Sequence, residues 1–371
     1  MHSRDILRLV ISQLNERNIE VMELSECYRL LETAALIHDI GNPPFGHFGE
    51  EAIRIWFEKN GPLYACWSDF SEQQQNDFLN FEGNAQTIRL LTKLYHDNGT
   101  SKAGMKLTAT TLDTVIKYTA SSDQLNKLQL LSKKVGYFYS EKQVFNAIKF
   151  ATGTQNKRHP LVFLLEASDD IAYTFSDIED AYNYGLYSYQ DLKQFVDGQT
   201  GTKKFLMLEK DKTEEATLQE FLRKTQRAVC QSVAKNFANH YDLIMRGIYH
   251  NEIIIEDCDE VKCFQALKNF SRAYVFQTKT ILDQEVLGFN IINRLLDEFV
   301  PVVLKYEKVS MNKYEERIFN NISESAKALY RREAKNATEA EKDYYRLKMA
   351  VDFVCNMTDG YAKKVYDTLF T

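Results

Sequence analysis

The stretch that decides the fold is LLETAALIHDIGNPPFGHFGEEAIRIW, from Leu30 to Trp56. Its first part has apolar residues at three- and four-residue spacing, which is typical of one face of an α-helix. This helix runs into His38 and Asp39, and the glycine and two prolines that follow are residues that end helices. A second helix is predicted to begin near His47. The stretch therefore predicts two helices joined by a tight turn that begins with a His-Asp pair.

The same helical pattern continues through the rest of the chain. Only 15 of the 371 residues are glycine and 5 are proline, and apolar residues recur at helical spacing in runs such as FNIINRLLDEFV. With 44% apolar residues, a chain of this length can bury a substantial core. We therefore predict an all-α fold, one large helical domain with at most a minor β element. The candidate strand is the β-branched run from Ile253 to Ile255.

Composition excludes several classes of protein. The net charge of -6 gives no global reason to expect nucleic-acid binding. Six cysteines are scattered along the chain, and the closest pair, Cys258 and Cys263, has no second Cys or His pair nearby, so neither a disulfide framework nor a structural zinc site is expected. No apolar run approaches the roughly 18 residues that span a bilayer. These features predict a soluble, cytoplasmic protein with reduced cysteines.

The string HDIGNPPFGHFGE carries the chemistry. His38 and Asp39 are adjacent at a helix end, and such a nitrogen and oxygen pair suits ions such as Mn, Fe or Mg. His47 and Glu50 are three residues apart on the next helix and share a face, where they can position water or pass a proton. An isolated His-Asp pair is usually structural. Two histidines and two carboxylates around one turn within 13 residues instead predict a hydrolytic metal site, with His47 and Glu50 as the catalytic pair.

This string resembles the hallmark of the HD-domain dGTP triphosphohydrolases. The resemblance continues in the same order through four further segments, which are NFEGNAQTIRLLT from Asn80, LTATTLDTVIKY from Leu107, RHPLVFLLEASDDIAYTFSDIEDA from Arg158 and DFVCNMTDGYA from Asp352. It covers nearly the whole chain and implies an HD-domain helical bundle. It also implies one divalent metal ion, such as Mn, Mg or Fe, and hydrolysis of dGTP or other dNTPs to deoxynucleoside and inorganic triphosphate.

A predicted helix near Glu166 to Tyr182 supplies further site residues. Asp169, Tyr173 and Asp177 recur at four-residue spacing and line one face, but spacing alone leaves Asp169 and Asp170 as alternatives. A solvated acidic face is the structural alternative. The resemblance implies that Asp169 binds the metal and that Tyr173 and Asp177 contact the deoxyribose. A ring packed on the 2′-carbon leaves no room for a hydroxyl, so it would exclude ribonucleotides.

The resemblance assigns the first metal ligand to His2, in HSRDILRLV. With His38, Asp39 and Asp169 it makes a set of four ligands. Family members carry further chain before this histidine, whereas only Met1 precedes it here. Chain ends are often poorly ordered, so we expect His2 to contribute little to metal affinity.

Cationic side chains are needed for a triphosphate. Lys117, in VIKY, matches a family lysine that contacts phosphate, although the proline usual soon after it is Thr119 here. A lysine is a natural point charge for phosphate, but a lone lysine is usually solvated surface. Arg346 is a weaker candidate for a phosphate contact, and Glu285 for a contact with base or sugar.

The sequence predicts two functional parts and leaves two alternative functions open. Residues 1–190 are expected to form the HD-domain core with the metal and catalytic residues, and residues 191–371 a helical part that completes the substrate pocket and the oligomer contacts. Family members form oligomers, often hexamers, and some respond to nucleic acid or nucleotides, so a homo-oligomer with such an effector is expected. The alternatives are another HD-type nucleotidase or phosphodiesterase, and a catalytically weakened nucleotide-sensing or DNA-binding oligomer.

Overall fold

The computed structural model describes residues 2–19, 24–95, 104–208, 211–255 and 258–370. Helices make up most of it, which confirms the predicted all-α fold. In chain order the helices are α1 His2–Asn15, α2 Leu24–Ile37, α3 Gly46–Asn60, α4 Glu72–Leu79, α5 Gly83–Arg89, α6 Ala109–Thr114, α7 Lys142–Thr152, α8 Pro160–Asn183, α9 Tyr189–Thr200, α10 Glu214–Asn239, α11 Tyr241–Met245, α12 Asp259–Phe270, α13 Lys279–Lys305, α14 Lys313–Asn321, α15 Glu324–Glu333, α16 Glu339–Cys355 and α17 Asp359–Phe370.

The β structure is minor, as predicted, but its predicted place was wrong. Two short strands, β1 Ala120–Ser121 and β2 Val135–Tyr137, pair in parallel. The run from Ile253 to Ile255 forms no strand. Ile253 is instead buried, and its carbonyl accepts a hydrogen bond from Asn236 Nδ2 at 3.5 Å. A β-branched run becomes a strand only beside another strand, and both described strands lie elsewhere in the chain.

The chain forms two compact units that interleave along the sequence. Unit 1 contains Met1–Leu36 and His159–Asp283, and unit 2 contains Ile37–Arg158 and Gln284–Thr371. The division predicted after residue 190 separates functional parts rather than compact units, and it stays a prediction.

The core of unit 1 is built from amphipathic helices. The apolar face of α1 packs against α10 and α8, and its buried residues recur at the spacing of a helix face: Ile6, Leu7, Val10 and Leu14. Arg17, just after α1, donates to the carbonyl of Ala238 at the end of α10 at 2.8 Å. On α8, the ring of Phe175 stacks on Phe264 of α12 with centroids 5.7 Å apart. These contacts fix α8, which carries three of the predicted site residues.

Unit 2 has an aromatic and aliphatic core that anchors α3, α5 and α16. The ring of Phe57 on α3 stacks on Phe78 of α4, with centroids 4.5 Å apart. Arg89, at the end of α5, is fully buried and donates to Asp352 of α16 at 2.7 Å and to Glu141 at 2.8 Å. A buried guanidinium is tolerated only when its donors are paired with acceptors. This ion network therefore fixes α5, whose first residue contacts the predicted catalytic pair.

All six cysteines are free thiols in the described part of the chain. Cys230, Cys263 and Cys355 are buried, and burial raises the pKa of each thiol. A protonated, buried thiol packs as a small apolar group.

Across the described ranges, no helix combines the length and the apolar character needed to cross a membrane.

Candidate metal and catalytic site

The predicted turn of unit 2 has the expected boundaries. Helix α2 ends at Ile37, directly before His38, and α3 begins at Gly46, directly before His47. The turn is closed by a hydrogen bond from the Asn42 N–H to the carbonyl of Asp39 at 3.1 Å. The side chains of the pair converge, with His38 Nε2 3.2 Å from Asp39 Oδ2. The helix end therefore presents one nitrogen and one oxygen donor side by side.

Asp39 is an ionised carboxylate in this arrangement. Partial burial alone would raise its pKa, but the hydrogen bond with His38 and the charge of Lys117 outweigh burial, so the pKa of Asp39 lies below its usual value. Lys117 lies in the loop after α6, and its carbonyl accepts a hydrogen bond from Arg158 Nε at 2.7 Å. The structure thus places the predicted phosphate-binding lysine where its charge acts on the predicted metal pair.

His47 and Glu50 form the second predicted pair. His47 Nδ1 lies 3.0 Å from Glu50 Oε2. The other carboxylate oxygen, Glu50 Oε1, accepts a hydrogen bond from the N–H of Gly83 at 2.7 Å. The Glu50 side chain is 2% exposed, whereas that of His47 is 79% exposed. A fixed, buried carboxylate therefore holds an imidazole that faces the outside of the unit.

The pKa values of this pair move in opposite directions. Burial would raise the pKa of Glu50, but the hydrogen bonds from His47 and from the Gly83 N–H outweigh it, so the pKa of Glu50 is lowered. The hydrogen bond to Glu50 raises the pKa of His47, against a smaller effect of burial. A raised pKa favours the imidazolium form, which can donate a proton to a developing oxyanion.

A glycine of the EGNAQ segment makes the closest approach to the catalytic pair. A Cβ atom at Gly83 would lie 2.3 Å from Asn42 Oδ1 and 2.8 Å from Glu50 Oε1. Only glycine fits this position, since real Cβ atoms do not approach neighbours so closely. Gln86 of the same segment donates to Asp352 at 3.0 Å.

Sequence reasoning missed three charged neighbours of the catalytic pair, and one of them, Arg54, has its Nη1 3.8 Å from Glu50 Oε2. Lys134 Nζ lies 3.0 Å from Glu82 Oε1, and Glu82 is 3% exposed. Burial and the nearby charge of Glu50 raise the pKa of Glu82. The charge of Lys134 in turn acts to lower the pKa values of His47 and Glu50. Glu82 lies next to Gly83 in the EGNAQ segment of the family resemblance, so its place near the site could have been inferred from the sequence. No motif contains Lys134, so its place could not.

In unit 1, the predicted helix around Asp169 is confirmed as α8. Tyr173 is 41% exposed, and Asp169 and Asp177 are half-buried. Partial burial raises the pKa values of Tyr173 and Asp177, and the charge of Asp180 acts in the same direction on Asp177. Asp170, the alternative to Asp169, accepts from Lys268 Nζ at 2.9 Å. The two neighbouring aspartates therefore have different environments on the same helix.

The roles of all the predicted site residues stay predictions, and three of these residues are still to be placed, His2, Glu285 and Arg346. His2 is the first residue of α1, but its side chain lies outside the described part of the structure. Glu285 is half-buried on α13, where partial burial raises its pKa. Arg346 is 1% exposed and donates to Asp343 at 2.7 Å and to the carbonyl of Tyr306 at 2.8 Å. Its Nε and Nη1 donors are thus engaged inside unit 2.

Comparison with known proteins identifies the family. No family model matches the chain. A "Deoxyguanosinetriphosphate triphosphohydrolase-like protein" of Listeria monocytogenes is 37% identical, over 92% of this chain and 77% of the relative. A protein of the same name from Pseudomonas aeruginosa is 30% identical, over 95% of this chain and 79% of the relative. A "Deoxyguanosinetriphosphate triphosphohydrolase" of Enterobacter sp. (strain 638) is 28% identical, over 99% and 84%. The chain therefore belongs to the deoxyguanosinetriphosphate triphosphohydrolase family, which confirms the family and the enzyme class that its motifs predict.

Proposed function

We propose that this protein is a metal-dependent hydrolase that converts dGTP or other dNTPs into deoxynucleoside and inorganic triphosphate. The names of its relatives support the reaction class. The observation that carries the proposal is the His47–Glu50 pair, because a buried carboxylate that holds an exposed imidazole is an arrangement for proton transfer. Glu50 is itself fixed by the backbone N–H of Gly83, so the imidazole has a stable support.

The donor atoms at the turn fit a divalent ion. Two ligand atoms that each lie ~2.1 Å from one ion, at tetrahedral or octahedral angles, are roughly 3 to 3.4 Å apart. The separation of His38 Nε2 and Asp39 Oδ2 is 3.2 Å. An ionised carboxylate is also the form that binds metal, and the pKa of Asp39 is lowered. We therefore propose His38 and Asp39 as two ligands of an ion such as Mn, Mg or Fe.

The other two proposed ligands are Asp169 and His2, which the family resemblance assigns. The choice of Asp169 over its neighbour follows the family resemblance. The Asp170 carboxylate pairs with the ammonium of Lys268.

Chemistry at the α-phosphorus follows from these roles. When bound, the ion supplies positive charge to the phosphate and a more acidic water. Because His47 Nδ1 faces Glu50, the ring presents Nε2 for proton transfer. The oxygen of a water molecule bonds to the α-phosphorus and the bond to the 5′-oxygen breaks. The His47 imidazolium gives its proton to the 5′-oxygen, and the proton that the water loses returns His47 to the imidazolium form. Glu50 orients the ring and stabilises its protonated form.

The substrate contacts form part of the same proposal. Lys117 would pair with a phosphate, Tyr173 would pack on the deoxyribose and Asp177 would bind its hydroxyl. We retain Glu285 for base or sugar and Arg346 for phosphate as weaker assignments. The resemblance further supports a homo-oligomer in the cytoplasm that responds to a nucleotide or nucleic-acid effector.

Product analysis in oxygen-18 water tests the proposal. With Mn or Mg present, phosphorus NMR of a dGTP digest should show intact triphosphate that carries the isotope, because the attacked atom is the α-phosphorus. Chelation of the metal should stop the reaction, and His47→Ala serves as the control for contaminating phosphatases. Release of pyrophosphate or orthophosphate as the first product would instead favour another HD-type nucleotidase or phosphodiesterase.

A further inference from the structure

Phe45 has an unusual backbone conformation directly before the catalytic helix. Its φ and ψ angles are 64° and 18°, in the left-handed region that large side chains rarely adopt. Phe45 is the residue that precedes α3, and its side chain cannot cap the first helical turn. His47 lies two residues further on. An unfavourable conformation of this kind persists only where surrounding contacts impose it.

Two distant segments of unit 2 impose the conformation of Phe45. The N–H of Phe45 donates to Asp359 Oδ1 at 2.9 Å, and Asp359 is the first residue of α17. The ring of Phe45 covers Gly288 on α13, where a Cβ atom would lie 2.5 Å from Cγ of the ring. The backbone and the side chain of Phe45 are therefore each held by a different helix.

The first turn of α3 depends on this support more than the rest of the helix does. Within that turn, the N–H of Gly49 donates to the carbonyl of Phe45 at a long 3.5 Å. Later residues of α3 are fixed by the core, where Ile53 and Trp56 are buried, and Glu50 is fixed by Gly83. His47 is exposed and lies in this first turn.

We propose that Asp359 is a positioning residue, whose hydrogen bond to the Phe45 backbone aligns the first turn of α3 and so places His47 against Glu50. The proposal rests on the proposed catalytic role of His47 for its effect on turnover. It gives a function to the DGYA segment, which belongs to the family resemblance and to which no metal ligand or substrate contact is assigned above. Gly288 acts in the same way, because it leaves room for the ring of Phe45.

Matched variants separate this role from a general loss of stability. Asp359→Ala should lower turnover about 10- to 100-fold with bound metal and KM little changed, because a misplacement of about 1 Å at a reacting group has such effects. Asp359→Asn keeps the acceptor oxygen and should retain most of the turnover. Gly288→Ala should resemble Asp359→Ala. Gly360→Ala is the control, since a Cβ there meets no described atom within 4 Å.

The pH response of His47 supplies the decisive result. The pH titration of the His47 ring, followed by NMR and assigned with His47→Ala, should move towards that of an ordinary histidine in Asp359→Ala and in Gly288→Ala. It should stay unchanged in Asp359→Asn and Gly360→Ala. Thermal unfolding identifies any variant that does not fold, and Gly288→Ala then replaces Asp359→Ala in each comparison.

The outcomes distinguish this proposal from the proposed function. Unchanged His47 titration in folded Asp359→Ala and Gly288→Ala would overturn the positioning role. If the wild-type protein releases no triphosphate but the His47 titration still responds to Asp359→Ala, the proposed function fails while the positioning role stands.

Discussion

The predicted site residues come from two regions that are built in different ways. In unit 1, Asp169, Tyr173 and Asp177 lie along α8, and the regular backbone of one helix sets their spacing. In unit 2, the turn from His38 to Glu50 is shaped by contacts from distant segments of chain. We therefore expect the two regions to respond differently to mutation. The site on α8 depends on the side chains of that helix, whereas the turn also depends on the distant residues that contact it.

Thr87 shows what such a support does. Its Oγ1 atom accepts a hydrogen bond from the N–H of Gly41 at 3.1 Å and lies 3.1 Å from the carbonyl of His38. Thr87 belongs to α5, which the buried ion network around Arg89 holds against α16. The position of the His-Asp pair therefore depends on Thr87 and on the ion network around Arg89. These residues lie far from the pair in the sequence and have no proposed role in metal binding or catalysis.

The largest expected effects are losses of metal. Asp39→Ala, in the turn, and Asp169→Ala, on α8, should each abolish both bound metal and turnover, because each removes a proposed carboxylate ligand. Asp170→Ala is the matched control on α8 and should keep the metal, since its carboxylate pairs with Lys268. Elemental analysis of the purified proteins measures the effect. Equal loss in the two α8 variants would remove the basis for choosing Asp169.

The second prediction separates proton transfer from metal binding within the turn. His47→Ala should lower turnover by at least the ~100-fold that is typical of a general acid or base, while the bound metal is retained. Glu50→Gln should also lower turnover, because Gly83 donates to Oε1 and His47 contacts Oε2, and the single amide oxygen can replace only one of these acceptors. Loss of metal in His47→Ala equal to that in Asp39→Ala would contradict the separate roles of these residues.

The two regions also differ in what the sequence could predict. Helical periodicity and the family resemblance indicated α8 and its residues, and the helix-ending residues after Asp39 indicated the turn and its His-Asp and His-Glu pairs. The supports at Gly83, Asp359 and Gly288 are tertiary contacts between distant segments, and no local pattern encodes such contacts. The run from Ile253 to Ile255 was mistaken for a strand for the same reason, since β-branched residues form a strand only where a neighbouring strand is present.

The third prediction concerns α8 and has a moderate expected effect. Tyr173→Ala should raise activity on ribonucleotides relative to deoxynucleotides by roughly 10-fold, because it opens space beside the 2′-carbon. Tyr173→Phe keeps the ring and should keep the selectivity, which makes it the control for loss of the phenol oxygen. Competition between dGTP and GTP gives the ratio directly. If Tyr173→Phe loses selectivity as much as Tyr173→Ala does, the hydroxyl rather than the bulk of the ring controls the choice of sugar.

The smallest expected effect is on the pH dependence of stability, and it comes from the turn. Glu50 raises the pKa of His47 above its ordinary value of 6.5 in the folded protein. A group of this kind stabilises the fold at pH values below its unfolded pKa, and the contribution disappears as the pH rises through the folded pKa. The pKa of Glu50 lies below its ordinary 4.5, so its carboxylate stays charged where His47 is protonated.

Urea unfolding of the wild-type protein and His47→Ala at about pH 5.5 and about pH 9 measures this contribution. The wild-type advantage in the free energy of unfolding should be larger at the lower pH. The change should stay below about 1 kcal/mol, because the His47 side chain is 79% exposed and solvent screens its charge. In a Glu50→Gln background, which removes the negative charge, the same comparison should show little pH dependence. An advantage that grows with pH would mean that His47 is held in its neutral form, and its proposed role as the acid that protonates the 5′-oxygen would then be wrong.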